Sequence, residues 1–124
     1  MLKLTVFGAF AALSIAAPAL AGDAEINYPK GSLGYAELVA GDAAGAIRSI
    51  KADTNVAHDD PAQMLNLGLA YERSGDFDSA ERLYSSVLTR TRPTQLVLSN
   101  GAVVSSHDLA ATGLNRVQGQ MAAR

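Results

Sequence analysis

Two histidines lie next to acidic residues and are the side chains of this sequence best suited to chemistry. His58 begins the sequence His-Asp-Asp at 58–60, residue types that could bind a metal ion or transfer a proton. His107 is the centre of Ser-His-Asp at 106–108, the three residue types of a hydrolase triad. A small hydrolase or a metal-dependent enzyme that uses His58 or His107 is therefore one interpretation of the chain.

Helix starts explain the same residues more simply. Asp60 precedes Pro61, a pair typical of an N-cap and a first helical position, and Ser105 with Asp108 forms a capping box. No other ligands at metal spacing accompany His58, and the sequence contains no phosphate loop, HExxH, GxSxG or calcium loop. We therefore expect no catalytic residue, no metal and no cofactor.

The first 21 residues have the three regions of a secretory signal peptide. Lys3 supplies the positive charge, and the run from Leu4 to Ala17 is uncharged but too short for a membrane-spanning helix. Ala19 and Ala21 place small residues at the −3 and −1 positions of a peptidase site. We expect cleavage after Ala21 and export to the periplasm of a Gram-negative bacterium.

Residues 22–124 would then form a single domain of weakly acidic character. They contain nine basic and twelve acidic side chains, a formal charge of −3, without any basic run. This balance argues against binding to nucleic acid or to an anionic membrane surface. The chain has no cysteine, which excludes a disulfide framework and a thiolate nucleophile. The expected partner is a protein or peptide.

The sequence repeats itself with an offset of 34 residues between 27–60 and 61–94. The identical pairs are Leu33 and Leu67, Gly34 and Gly68, Ala36 and Ala70, Gly41 and Gly75, Asp42 and Asp76, Ala46 and Ala80, and Arg48 and Arg82. Small residues and turn residues recur at one constant spacing, which predicts two copies of one helix–turn–helix unit.

Start and stop signals set the expected helix limits. In the second copy, one helix begins after Asp60 and ends at Gly75, and Asp78 caps the next helix, which closes near Pro93. In the weaker first copy, we expect a short helix from near Ser32 to Gly41. A second helix follows there from 43 to 53.

The last thirty residues change period. Asn100–Gly101 separates two short β-rich runs, which predicts a hairpin over 95–105. The apolar residues that follow share one face of a final helix over 106–121. The expected fold class is mainly α: two antiparallel helix pairs, a short β-hairpin and a C-terminal capping helix.

The 34-residue unit resembles the tetratricopeptide repeat, whose pattern is W-x2-L-G-x2-Y followed by A-x3-F. Residues 61–93 match it well and residues 27–60 match it in degenerate form. The signature positions are Leu67, Gly68, Tyr71, Ala80 and Tyr84 in the second copy and Leu33, Gly34 and Ala46 in the first. The resemblance implies structural roles for all of them.

Gly68 is the most informative signature position. A glycine in the middle of a helix costs about 1 kcal/mol relative to alanine, so close packing must offset it. We expect Gly68 and Ala80 to let their two helices cross closely, with Tyr71 and Tyr84 on the flanks.

The resemblance also implies a function. In tetratricopeptide arrays the first helices of successive pairs line a concave groove that holds a peptide. The corresponding residues here are Leu65, Asn66, Leu69, Arg73, Tyr35 and Leu38. We therefore expect a noncatalytic protein–protein interaction module, an adapter or scaffold of the cell envelope. Two alternatives stay open: Leu65 and Leu69 are buried against the first unit, or the protein is a self-assembling structural unit.

Overall fold

The computed structural model describes residues 28–124. The expected signal peptide and its cleavage site lie outside these residues. The elements, in chain order, are α1 (Tyr35–Val39), α2 (Ala43–Ala52), α3 (Pro61–Ser74), α4 (Phe77–Arg90), β1 (Gln95–Val97), β2 (Val103–Ser105) and α5 (Ser106–Ala122). The predicted mainly α fold, with its hairpin and C-terminal helix, is confirmed. None of the helices in 28–124 combines the length and the apolar character needed to cross a membrane.

The same turn closes the first helix of each pair. Gly41 and Gly75 have φ angles of 79° and 89°, a left-handed conformation that other residues adopt only with strain. The amide of the next residue, Asp42 or Asp76, donates to the carbonyl five positions earlier, at 2.8 and 3.0 Å. These bonds satisfy carbonyls that the helix end leaves unpaired. The 34-residue repeat of the sequence is therefore a repeat of backbone geometry at this turn.

An aspartate in each turn caps the helix that follows. Asp42 accepts the amide of Gly45 at 2.8 Å, and Asp76 accepts the amide of Ser79 at 3.1 Å. The hydroxyl of Ser79 also donates to Asp76, and these bonds hold the pKa of that carboxyl below its usual value. Our prediction that Asp78 caps α4 is wrong, because the residue directly after the left-handed glycine already fills that position.

Helix α1 is shorter than expected. It begins at Tyr35 and not near Ser32, because Gly34 precedes it in a left-handed conformation with φ of 63°. The carbonyls of Ser32 and Leu33 accept hydrogen bonds from side chains of α3 instead of from a helical turn. Gly34 and Gly68 therefore occupy equivalent sequence positions but different backbone conformations.

The core lies around α4, which packs against both α3 and α5. The buried residues of this core are Leu33, Ala62, Met64, Leu65, Ala80, Tyr84, Val87, Leu96, Ala110 and Val117. A second cluster, composed of Leu38, Ala46, Leu69 and Ala70, attaches the first helix pair to α3. Burial of each leucine side chain stabilises the fold by about 1.5–3 kcal/mol.

The hairpin is antiparallel, and its register pairs Leu96 with Val104 and Val97 with Val103. A five-residue connection, 98–102, joins the strands and includes the predicted Asn-Gly sequence. Leu96 is buried in the core, whereas Val97 and Val103 are exposed. The hairpin thus uses one face to cover the end of the helical core and leads directly into α5.

Candidate binding groove

The predicted concave surface is filled by the chain itself. Residues 28–39 cover it, and four of its six residues are buried: Leu38, Leu65, Asn66 and Leu69. Asn66 donates to the carbonyl of Leu33 at 3.0 Å, and Arg73 donates to the carbonyl of Leu38 at 2.9 Å. Tyr35, the remaining residue of the predicted groove, packs beside Leu38 in the second cluster. The structure therefore has the alternative in which these leucines are buried against the first unit, and the expectation of an open groove there is corrected.

Tyr84 explains the two glycines that lie in the middle of helices. A Cβ atom on Gly68 would lie 2.9 Å from Cε1 of the Tyr84 ring, and one on Gly113 would lie 2.7 Å from its Cζ. The ring therefore lies between the backbones of α3 and α5. We expected Tyr84 on the flank of a crossing between Gly68 and Ala80. It instead occupies the slot that Gly68 leaves open, so a side chain fills the space.

The hydroxyl of Tyr84 connects three helices. It donates to Oε1 of Glu72 at 2.8 Å, and Arg116 donates to both oxygens of the same carboxylate at 2.7 and 2.8 Å. Burial raises the pKa of the Tyr84 phenol, and the negative charge and hydrogen bond of Glu72 raise it further. The Glu72 carboxylate is thus bound by both Tyr84 and Arg116. The Tyr84 phenol stays neutral and serves as a structural hydrogen-bond donor.

The Ser-His-Asp sequence does not form a triad. The Oγ of Ser106 accepts the amide of Thr94 at 2.9 Å, while Nε2 of His107 lies 2.8 Å from the carbonyl of Thr91. Asp108 is exposed in the first turn of α5. These side chains bond to different partners and fasten the end of α4 and the hairpin to α5. Within residues 28–124, no three His, Asp or Glu side chains are placed to share a metal ion.

His58 lies on the rim of an apolar groove between α2, α3 and α4, which we call the outer groove. It consists of two adjoining cavities of about 220 and 280 Å³ that share Leu67 and Leu83. The first is completed by Ile50, Lys51, His58, Gln63 and Met64, and the second by Tyr71, Ser79, Arg82 and Ser86. Leu67 and Leu83, both half-buried, form a continuous floor.

Helical spacing produces the outer groove. Met64, Leu67 and Tyr71 follow one another at i, i+3 and i+7 and therefore lie on one face of α3. Leu83 faces them from the antiparallel α4. The stripe on α3 is about 10 Å long at 1.5 Å per residue, or two helical turns. Sequence reasoning assigned Leu67 and Tyr71 to the repeat signature and missed their exposed edge.

The charged side chains that line the outer groove are cationic. Lys51 lies in the first cavity and Arg82 in the second. The three carboxylates of α3 and α4 are paired on the side of α5: Glu72 with Arg116, Glu81 with Gln118, and Asp78 with Arg124, which lies just beyond the end of α5. Asp76, the residue before α4, caps that helix.

No family model, no curated protein sequence and no solved structure matches this chain. The outer groove combines an apolar floor with a cationic rim on one side of the α3–α4 pair. The other side of that pair is covered by α5, whose Arg116 binds Glu72, and Arg124 just beyond the end of α5 binds Asp78. These two sides of the same helix pair therefore differ both in exposure and in charge.

Proposed function

We propose that this protein is a noncatalytic protein-interaction module, an adapter or scaffold exported to the bacterial cell envelope, and that it binds its partner in the outer groove. One observation carries the proposal: Leu67 and Leu83 form a continuous apolar floor that is only half-buried in residues 28–124. Grooves lined by apolar side chains with a few polar groups at the rim are common binding surfaces for partner segments.

The site differs from the concave groove implied by the tetratricopeptide resemblance. Residues 28–39 occupy the concave side, where Asn66 and Arg73 bind backbone carbonyls of that segment. The outer groove has no such covering from the described residues, and its rim places Lys51, His58 and Arg82 within reach of a partner. The resemblance supports a binding role in general, and the arrangement of the half-buried leucines supports this surface in particular.

Site-specific photocrosslinking tests the proposal in the bacterium that produces the protein. Benzoylphenylalanine placed at Ser86 or His58, both in the groove lining, should give an adduct of defined mass on irradiation. The same residue placed at the exposed positions Ala111 or Asn115 on α5 should give none. Equal adducts at both sets of positions, or none at either groove position, would contradict the proposal.

A further inference from the structure

We infer that the outer groove selects an acidic amphipathic helix of a partner protein, an inference that rests on the proposed function. The backbone of the groove walls indicates whether the bound partner segment is a helix or a strand. The groove walls are the helices α3 and α4, whose amide and carbonyl groups are bonded within their own helices. A strand needs such groups from an open sheet edge, whereas a helix satisfies its own backbone and needs only side-chain contacts.

The dimensions of the floor set the length of that helix. Met64, Leu67 and Tyr71 on α3 face Leu83 on α4 over two helical turns. A partner helix with apolar residues at i, i+3 or i+4, and i+7 presents these side chains along one face. Together they can fill the two adjoining cavities. The bound segment is therefore about two to three turns long, with an apolar stripe on one face.

The rim sets the charge of the partner. Lys51 lines the first cavity and Arg82 the second, and Arg82 is oriented by a 3.0 Å hydrogen bond to Ser79. Two carboxylates close to them in sequence accept donors of the chain: Asp53 accepts the amide of Val56 at 3.0 Å, and Asp76, whose charge Arg82 partly balances, accepts that of Ser79. Carboxylates beside the partner's apolar stripe would thus meet the two cations, which favours encounter and fixes orientation.

A pair of labelled peptides tests the inference on the full exported chain. Both are designed helices of about 14 residues with leucines at i, i+3 and i+7; one has glutamates beside the stripe and the other has lysines. Fluorescence anisotropy measures the affinity of each at low salt. We expect the acidic peptide to bind at least about tenfold more tightly than the basic one, with the difference reduced by added salt.

Charge reversal locates this preference in the groove. Lys51→Glu combined with Arg82→Glu should abolish or invert the preference for the acidic peptide. The matched control, Lys30→Glu with Arg90→Glu, reverses two exposed cations that do not line the groove and should leave the preference unchanged. A preference that survives the first double variant would overturn the inference.

Other outcomes separate the inference from the proposed function. If both peptides bind equally and Ser86→Trp, which fills the second cavity, blocks both, the groove binds protein without selecting charge. The inference then fails and the proposed function stands. If neither peptide binds, the inference also fails, and the crosslinking result decides the proposed function separately. Sedimentation measures whether the chain self-associates. Self-association that Ser86→Trp abolishes would identify a second copy as the occupant of the groove and would overturn the inference of an acidic partner helix.

Discussion

The ring of Tyr84 lies so close to the backbone of Gly113 that a Cβ atom at position 113 would be 2.7 Å from the ring Cζ. Gly68 of α3 lies against the same ring from the other side, and Glu72 accepts a hydrogen bond from the Tyr84 hydroxyl. One side chain of α4 therefore determines how closely both α3 and α5 pack. The two glycines provide the space for it, which offsets their weak helix propensity.

Replacing Gly113 by alanine should destabilise the protein. The added methyl group would meet three ring atoms of Tyr84 within 2.9 Å, and the ring is held by its bond to Glu72. We expect the free energy of unfolding to fall by about 1–3 kcal/mol, measured by urea denaturation with circular dichroism. Gly119→Ala is the control, because a methyl group there meets no atom within 4 Å. It should stabilise α5 by up to about 1 kcal/mol, and equal stabilities of the two variants would refute the confined ring.

The ion pairs made by Arg116 of α5 and by Arg124, just beyond the end of α5, should differ in their contribution to stability. Glu72 is only 13% exposed, so Arg116→Gln leaves a largely buried carboxylate with Tyr84 as its remaining side-chain partner. We expect a loss of about 1–2 kcal/mol, since the exposed edge of Arg116 allows some screening. Arg124 and Asp78 are both more than half exposed, and Arg124→Gln should change stability by less than about 0.5 kcal/mol. Thermal unfolding of both variants at one salt concentration measures the difference, and similar losses would contradict it.

Tyr84 should make the fold sensitive to alkaline pH. Burial, followed by the charge and hydrogen bond of Glu72, raises the pKa of its phenol above the ordinary value of 10.0. Above about pH 10 the unfolded state loses a proton that the folded state retains, so the free energy of unfolding decreases as pH rises. Below pH 10 this contribution is complete. Urea titrations at pH 8, 10 and 11.5 should show a steeper loss for wild type than for Tyr84→Phe. Parallel losses would show that another group is responsible.

Local signals predicted the second helix pair well and the first pair less well. Asp60 and Gly75 marked the limits of α3 because capping and the left-handed turn depend on neighbouring residues alone. The cap of α4 was missed, although the 34-residue offset already placed Asp76 on Asp42. The start of α1 depends on contacts from α3 to the Ser32 carbonyl, which a local pattern does not contain.

The outer groove was harder to predict, for a different reason. The spacing of Met64, Leu67 and Tyr71 identified an apolar stripe, but a stripe does not reveal which neighbour covers it. That outcome depends on α5 packing on one side of the α3–α4 pair and on α2 contributing only Ile50 and Lys51 to the groove on the other. Similarly, a single sequence does not show that Gly113 and Gly68 contact the same ring, since they belong to different helices.

Asn66 should attach the first helix pair to the rest of the protein. Its side chain is fully buried and donates to the carbonyl of Leu33 at 3.0 Å, so Asn66→Ala leaves that carbonyl without this donor. We expect a loss of about 1–3 kcal/mol in unfolding free energy. Hydrogen exchange should also accelerate at the amide of Leu38 in α1 more than at amides of α4, because the loss acts first where α1 is held. Asn115→Ala, at an exposed position of α5, is the matched control and should change neither measurement appreciably. Uniform acceleration across α1 and α4 would show that Asn66 supports the whole core and not this attachment.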